Sequence, residues 1–187
     1  MAMPTGLRKV ALTAHVATSV GWLGSVAVFL ALAVAGLTGE DVQRVRGAYL
    51  AMEMTGWYVI VPLAFASLLT GLVQSLGTTW GLLRHYWVLA KLALTVVATF
   101  LLVLHMRVAD RLADAALRTD LSGTGLGGMR VQLVLDAAAA VVVLLTTTAL
   151  SVHKPRGITR YGWRKQQGQR AERPDHTTVN TTAPTPT

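Results

Sequence analysis

The sequence predicts an all-α protein, a bundle of four transmembrane helices with both termini in the cytoplasm. Three observations predict it. The chain of 187 residues is 52% hydrophobic and only 14% charged, against about 25% charged residues in soluble domains. Its apolar residues collect in four runs, at about 10–37, 57–77, 86–106 and 131–152, each with the roughly 20 residues a helix needs to cross about 30 Å of hydrocarbon. Its basic residues are shared unevenly between the two sides of those runs.

The first run follows Arg8 and Lys9 and ends near Ala33-Val-Ala35, which imitates a secretory signal with its cleavage site. A signal core spans about 7–15 residues. This run is longer and carries His15 in its first turns, so it is expected to remain as a span. The first connection, 38–49, is short and polar, and Thr38 and Asp41 are of the type that starts helices. The second span begins near residue 50 and runs to 77, and 78–85 reads as a tight turn. After the third run, Arg107, Arg111, Asp114 and Arg118 recur at helical spacing opposite Val108, Leu112 and Ala115. That pattern predicts the third helix continuing along the membrane interface. The glycine-rich stretch 122–128 reads as a flexible link; it lacks the Lys-Ser/Thr and the preceding strand of a phosphate loop. In lipid the backbone must satisfy its own hydrogen bonds, so each span is helical. Residues 1–153 thus form the transmembrane domain. Residues 154–187 form a basic juxtamembrane segment and a Thr/Pro-rich tail whose composition predicts disorder.

Orientation follows from the flanking charges. Arg8, Lys9, Arg84 and seven basic residues between Lys154 and Arg173 lie on one side, against Arg44, Arg46, Arg107, Arg111, Arg118 and Arg130 on the other. The larger group belongs in the cytoplasm, which makes this a multi-pass protein of a bacterial plasma membrane. The net charge of +8 is accounted for by anionic lipid at the basic tail, with Tyr161 and Trp163 as headgroup anchors, and not by nucleic acid. Cysteine is absent, which excludes disulfides, thiolate catalysis and Cys-based metal clusters.

Ionisable groups within lipid are costly and often functional. On the first helix His15, Ser19 and Trp22 share a face beside a stripe of Ala17, Gly21 and Ser25. The second helix carries Ala64, Ser67, Gly71 and Ser75, the third Lys91, Thr95, Thr99 and His105, the fourth Asp136, Ala140, Val143 and Thr147. Small residues let helices approach closely, so Gly21, Ser25, Ser67 and Gly71 are expected at helix interfaces together with Lys91, leaving Leu and Val to the lipid. By depth the ionisable residues form two layers. His15 and Lys91 lie about 7 Å inside the cytoplasmic boundary, and are expected to face one another. Lys91 also has a stem long enough to snorkel to the headgroups. His15 is a hydrogen-bonded core histidine, a ligand or a proton carrier. Glu53, His105 and Asp136 belong to the outer half, where Asp136 needs a donor and is expected to face His105 or Glu53.

The outer end also collects Met52, Met54, Met106 and Met129. Thioether and imidazole ligands suit Cu(I), which makes His105, Glu53, Asp136, Met52 and Met106 candidate metal residues, although methionine also fills apolar gaps. Haem b is the other candidate cofactor, through His15 as an axial ligand near the cytoplasmic side. No Ser/His/Asp set or nucleotide motif is present, and the reading is non-enzymatic.

His15 with Trp22-Leu-Gly24, the run His85-Tyr-Trp-Val-Leu-Ala-Lys-Leu-Ala-Leu94, and Lys154-Pro-Arg-Gly-Ile-Thr-Arg-Tyr-Gly162 together resemble a bacterial family of small four-helix membrane proteins of uncharacterised function. That family is distantly similar to the copper-resistance D membrane proteins. The resemblance covers roughly residues 7–162 and implies His15, Trp22, Trp87 and Lys91 as family-type positions. The expected role is metal (copper) handling or support of a membrane complex, alone or as a homo-oligomer. A haem-binding electron carrier and a purely structural assembly subunit are the alternatives.

Overall fold

A computed structural model of the chain describes residues 4–77, 86–118 and 126–153. The helix α1 covers Thr5–Thr38. The helix α2 begins as an α-helix over Val42–Thr55, widens into a π turn over Gly56–Ile60, and continues as an α-helix over Val61–Gly77. The helix α3 covers Tyr86–Leu117 and α4 covers Leu126–His153. All four are long and apolar enough to cross a membrane. The turn at 78–85, the first part of the glycine-rich link, the basic segment and the Thr/Pro-rich tail lie outside the described residues.

The first connection is shorter than its polarity suggested. Helix α2 starts at Val42, and Asp41 caps it, its carboxylate accepting from the N–H groups of Gln43 (2.8 Å) and Arg44 (3.1 Å). The stretch 42–49 was expected to be loop because it is polar. It is helical because Val45, Ala48, Tyr49 and Met52 recur every three to four residues and are all buried, one apolar stripe on an otherwise polar helix. The glycine-rich link is shorter too, since Leu126, Gly127 and Gly128 belong to α4. The continuation of the third helix past Arg107 is present as far as Leu117.

The helices pack in chain order around the bundle. Helix α1 contacts both halves of α2 and also α4, while α3 contacts α2 and α4; the diagonal pairs make no extensive contact among the described residues. Neighbours are antiparallel, as three pairs of contacts show. Ser19 meets Ser67 while Gly36 meets Tyr49; Trp57 meets Asp110 while Arg46 meets Leu117; Lys91 meets Ser151 while His105 meets Asp136.

Burial follows the rule for helices in lipid, where small residues face inward and large apolar ones outward. Ala33, Ala64, Ala109 and Ala137 are buried, whereas Val20, Leu69, Phe100 and Val142 are exposed. The outer end differs. Beyond Arg107, α3 adds Ala109, Leu112, Ala113 and Ala116 to the buried set, matched by Val45, Ala48, Tyr49 and Met52 of α2. These belong to one apolar cluster with the centre of the bundle, apart from Ala48 and Ala113. The two helices therefore stay packed against one another past Arg107.

The π turn has a local cause. A proline in a helix has no N–H to give the carbonyl four residues back, and its ring collides with that carbonyl. For Pro62 that is Tyr58. Widening the preceding turn relieves the clash, and the Val61 N–H instead reaches the Gly56 carbonyl. Gly56 has no side chain, and Met106 packs into the space: a Cβ there would overlap its thioether.

Candidate functional site

The ionisable residues of the spans form two layers. On α3, Lys91 and His105 are fourteen residues apart, about 21 Å at 1.5 Å per residue.

In the outer layer His105 Nε2 lies 2.7 Å from Asp136 Oδ2, across the α3–α4 interface, with side chains 29% and 32% exposed. The other ring nitrogen, Nδ1, is 2.7 Å from the Leu101 carbonyl. A carbonyl only accepts, so Nδ1 carries a proton. The Nε2–Oδ2 approach is an ion-pair distance without hydrogen-bond geometry, since Asp136 Oδ2 has no hydrogen-bond partner among the described residues. This is the partner expected for Asp136, with His105 chosen over Glu53, whose side chain makes no hydrogen bond or ion pair among the described residues.

The other metal candidates face elsewhere. Met106 is buried against Gly56 of α2, and Met52 is buried in the same cluster, whereas His105 points to α4. Among the described residues no group of three or more His, Asp or Glu could hold a metal ion.

In the inner layer His15 Nδ1 donates to the Ser67 carbonyl at 3.1 Å and lies 3.2 Å from Thr70 Oγ1. The Thr70 hydroxyl proton goes to the Ala66 carbonyl (2.6 Å), so its oxygen accepts from His15. Gly71 makes this possible, since a Cβ there would stand 3.0 Å from His15 Cε1. Ser19 and Ser67 are linked at 2.8 Å. With Nδ1 protonated and donating to a backbone carbonyl, the Nε2 of His15 is presented as a lone pair or, in the cation, a second donor.

Lys91 does not turn to the nearest water. Its Nζ donates to Ser151 Oγ of α4 at 2.6 Å. The expected face-to-face pair of His15 and Lys91 is therefore a shared layer rather than a contact, because α1 and α3 stand on a diagonal and each residue bonds a neighbouring helix.

The small-residue stripes divide. Gly21 lies against Leu63, whereas Ser25 Oγ bonds the carbonyls of Gly21 and Trp22 in its own helix. Most hydroxyls do the same, including Thr95, Thr99 and Ser75. Trp22 is buried, and its indole N–H has no acceptor among the described residues. Tyr49 was missed from the sequence. It is buried on Gly36, its ring lies 5.7 Å from the Arg130 guanidinium, and its position at the polar start of α2 hid it.

The outer pair supports one prediction. Replacing Asp136 with Leu is expected to lower bundle stability by about 1 kcal/mol, the scale of hydrogen bonds between membrane helices, and Asp136→Asn by less, because the amide still offers an oxygen. Detergent melting curves check this; Asp136→Leu melting with or above the wild type would remove the pair from the structural account.

Comparison of the chain with protein-family models, with curated proteins and with solved structures finds no match.

Proposed function

We propose that this chain is a non-enzymatic, four-span component of a bacterial plasma membrane that supports a membrane complex. The observation that carries the reading is the outer end, where α2 and α3 stay packed together among the charged residues that follow Arg107. Trp57 Nε1 donates to Asp110 Oδ1 at 2.9 Å and Arg46 donates to the Leu117 carbonyl at 3.0 Å. These contacts hold a firm surface outside the bilayer, on which Arg44, Arg111 and Asp114 are exposed. Within the spans His15, Ser19, Lys91 and His105 join helix to helix, as scaffold residues do. The native mass of the full chain, solubilised from its own membrane in mild detergent, tests the proposal. It is expected to exceed that of a single chain, and Arg44→Glu with Arg111→Glu should return it to the single-chain value. A wild-type protein at the single-chain mass would sink the proposal.

A metal-handling role, copper included, is the second reading, favoured by the ring of His105 anchored at Nδ1 with its Nε2 on a carboxylate. A ligating histidine donates one ring N–H to such a carbonyl as that of Leu101 and gives its other nitrogen to the metal, so a metal ion would take Nε2 with Asp136 beside it. Copper loading followed by metal analysis should then show binding lost in His105→Ala, and absence of bound copper in the wild type would end it. The same sample settles haem b at His15 by its visible absorption.

Both termini are placed in the cytoplasm on the distribution of basic residues. Cysteines introduced near residues 5 and 170 should react only with reagents that enter the cell, and those near 42 and 124 from outside. External labelling at 170 in intact cells would reverse the topology.

A further inference from the structure

We propose that the inner layer of the bundle is a binding site for one phosphoryl oxyanion, supplied by the headgroup of an anionic phospholipid or by free phosphate, with Lys91 as its main contact and His15 as the second. This goes beyond the supporting role and does not depend on it.

The first observation is where Lys91 points. Within lipid, a lysine near a helix end ordinarily snorkels outward. Here Nζ reaches sideways to Ser151 of the next helix. Ser151 gives its own proton to the Thr147 carbonyl at 2.9 Å, so its oxygen can only accept, and one of the three ammonium hydrogens is placed. Among the described residues nothing else is bonded to Nζ.

Charge balance is the second observation. The stretches 7–37, 57–106 and 137–153 contain no Asp or Glu. Every carboxylate among the described residues lies at the outer half or beyond it: Glu40, Asp41, Glu53, Asp110, Asp114 and Asp136. Among the described residues the inner layer thus carries a lysine and a histidine with no acid beside them. An ammonium within lipid is costly even on the mildest scales, and the usual remedy is a paired anion. His105, in the outer layer, has one in Asp136; the inner layer has none from this chain's described residues.

Register supplies the third. Gly56 of α2 meets Met106 of α3. Counting from 56 to 70, less the one residue that the π turn absorbs, and from 106 back to 93 brings Thr70, and with it the bonded His15, level with Ala93, two residues from Lys91. The two cationisable groups therefore stand close to one depth on opposite sides of the bundle. His15 already has Nδ1 fixed on Ser67, which leaves Nε2–H of its cation for an acceptor. Hydroxyls of Ser19, Ser67, Thr70 and Ser151 surround the same layer. Ser151 and Thr70 have spent their protons on backbone carbonyls, so the donors left for an oxyanion are the Lys91 ammonium and Nε2–H of the His15 cation, with no carboxylate opposing them among the described residues.

The test uses the full chain in a neutral detergent. Native mass spectrometry is run after exchange into phosphatidylglycerol–phosphatidylcholine mixtures and, separately, into inorganic phosphate. The wild type should keep one phosphatidylglycerol in preference to phosphatidylcholine, with retention falling roughly tenfold in Lys91→Met, about the effect of removing one charge-assisted contact, and restored in Lys91→Arg. Looser lipids held by the basic tail should disappear in Arg164→Gln with Lys165→Gln while this one remains. Stabilisation by inorganic phosphate in the absence of lipid, lost in Lys91→Met, would assign the free ion as the source. Should the wild type show no preference for phosphatidylglycerol and no stabilisation by phosphate, the site does not exist, whether or not the variants fold. Equal retention by wild type and Lys91→Met would overturn it as well.

Discussion

Leu112→Ala is expected to lower the stability of the bundle by about 2–5 kcal/mol, and to do so by more than Leu144→Ala. Both side chains are buried, Leu112 at 0% exposure and Leu144 at 7%, so burial alone would not separate them. Their surroundings do. Leu112 sits beyond Arg107 between the exposed Arg111 and Asp114, charged neighbours that belong in water, so its burial is expected to remove apolar surface from water. Truncating it forfeits that transfer and leaves a cavity. Leu144 lies within a span, and lipid tails are as apolar as leucine. Its loss forfeits packing contacts only. Paired melting curves of the two variants in one detergent read the difference. Equal losses, or a larger one for Leu144→Ala, would mean that the outer end is not flanked by water.

The second large effect is expected at Gly36. A Cβ there would stand 2.7 Å from Tyr49 Cζ and 2.9 Å from its hydroxyl oxygen. The obstacle is a ring held between α1 and the outer end of the bundle, not the loose tip of a flexible chain. Gly36→Val should therefore cost about 1–3 kcal/mol, as overpacking does, because α1 and α2 must separate or Tyr49 must leave its place under Arg130. Tyr49→Phe gives the opposite sign. The hydroxyl is buried without a hydrogen-bond partner among the described residues, and a buried hydroxyl without one is a liability of about 1–3 kcal/mol. Tyr49→Phe should then melt no lower than wild type, and the double variant Gly36→Val/Tyr49→Phe should stay destabilised because the ring remains. A clear loss in Tyr49→Phe would show that the hydroxyl has a partner.

These two sites also show what the sequence made legible. The four spans were readable because a run of about 20 apolar residues has one physical explanation in water. The outer extensions were only half readable. The charged face of α3 after Arg107 has visible helical spacing, but residues 42–49 look like loop by polarity alone. Their helical state depends on four apolar side chains meeting α1 and α3, which a single stretch of sequence does not announce. The pairing of Asp136 with the outer layer was foreseeable from its depth and its need for a donor. That Lys91 would meet Ser151 was not, since nothing in the spacing tells which neighbour a long flexible side chain selects. Tyr49 and Gly36 were invisible for a related reason: they are thirteen residues apart across a turn, and only the angle between helices brings ring and glycine together.

The widened turn before Pro62 bears on length as well as on shape. Five residues from Gly56 to Ile60 occupy a stretch of axis that four would fill in a regular helix. The chain thus carries one extra residue there, and the turn absorbs it before the buried positions resume at Ala64 and Ser67. Removing one residue between Trp57 and Val59, with Pro62→Ala to restore the missing donor, should leave both halves of the helix with the same neighbours. By the same reasoning, a chain of this fold with a regular second helix is one residue shorter, and an alignment of the two carries its gap between Gly56 and Pro62.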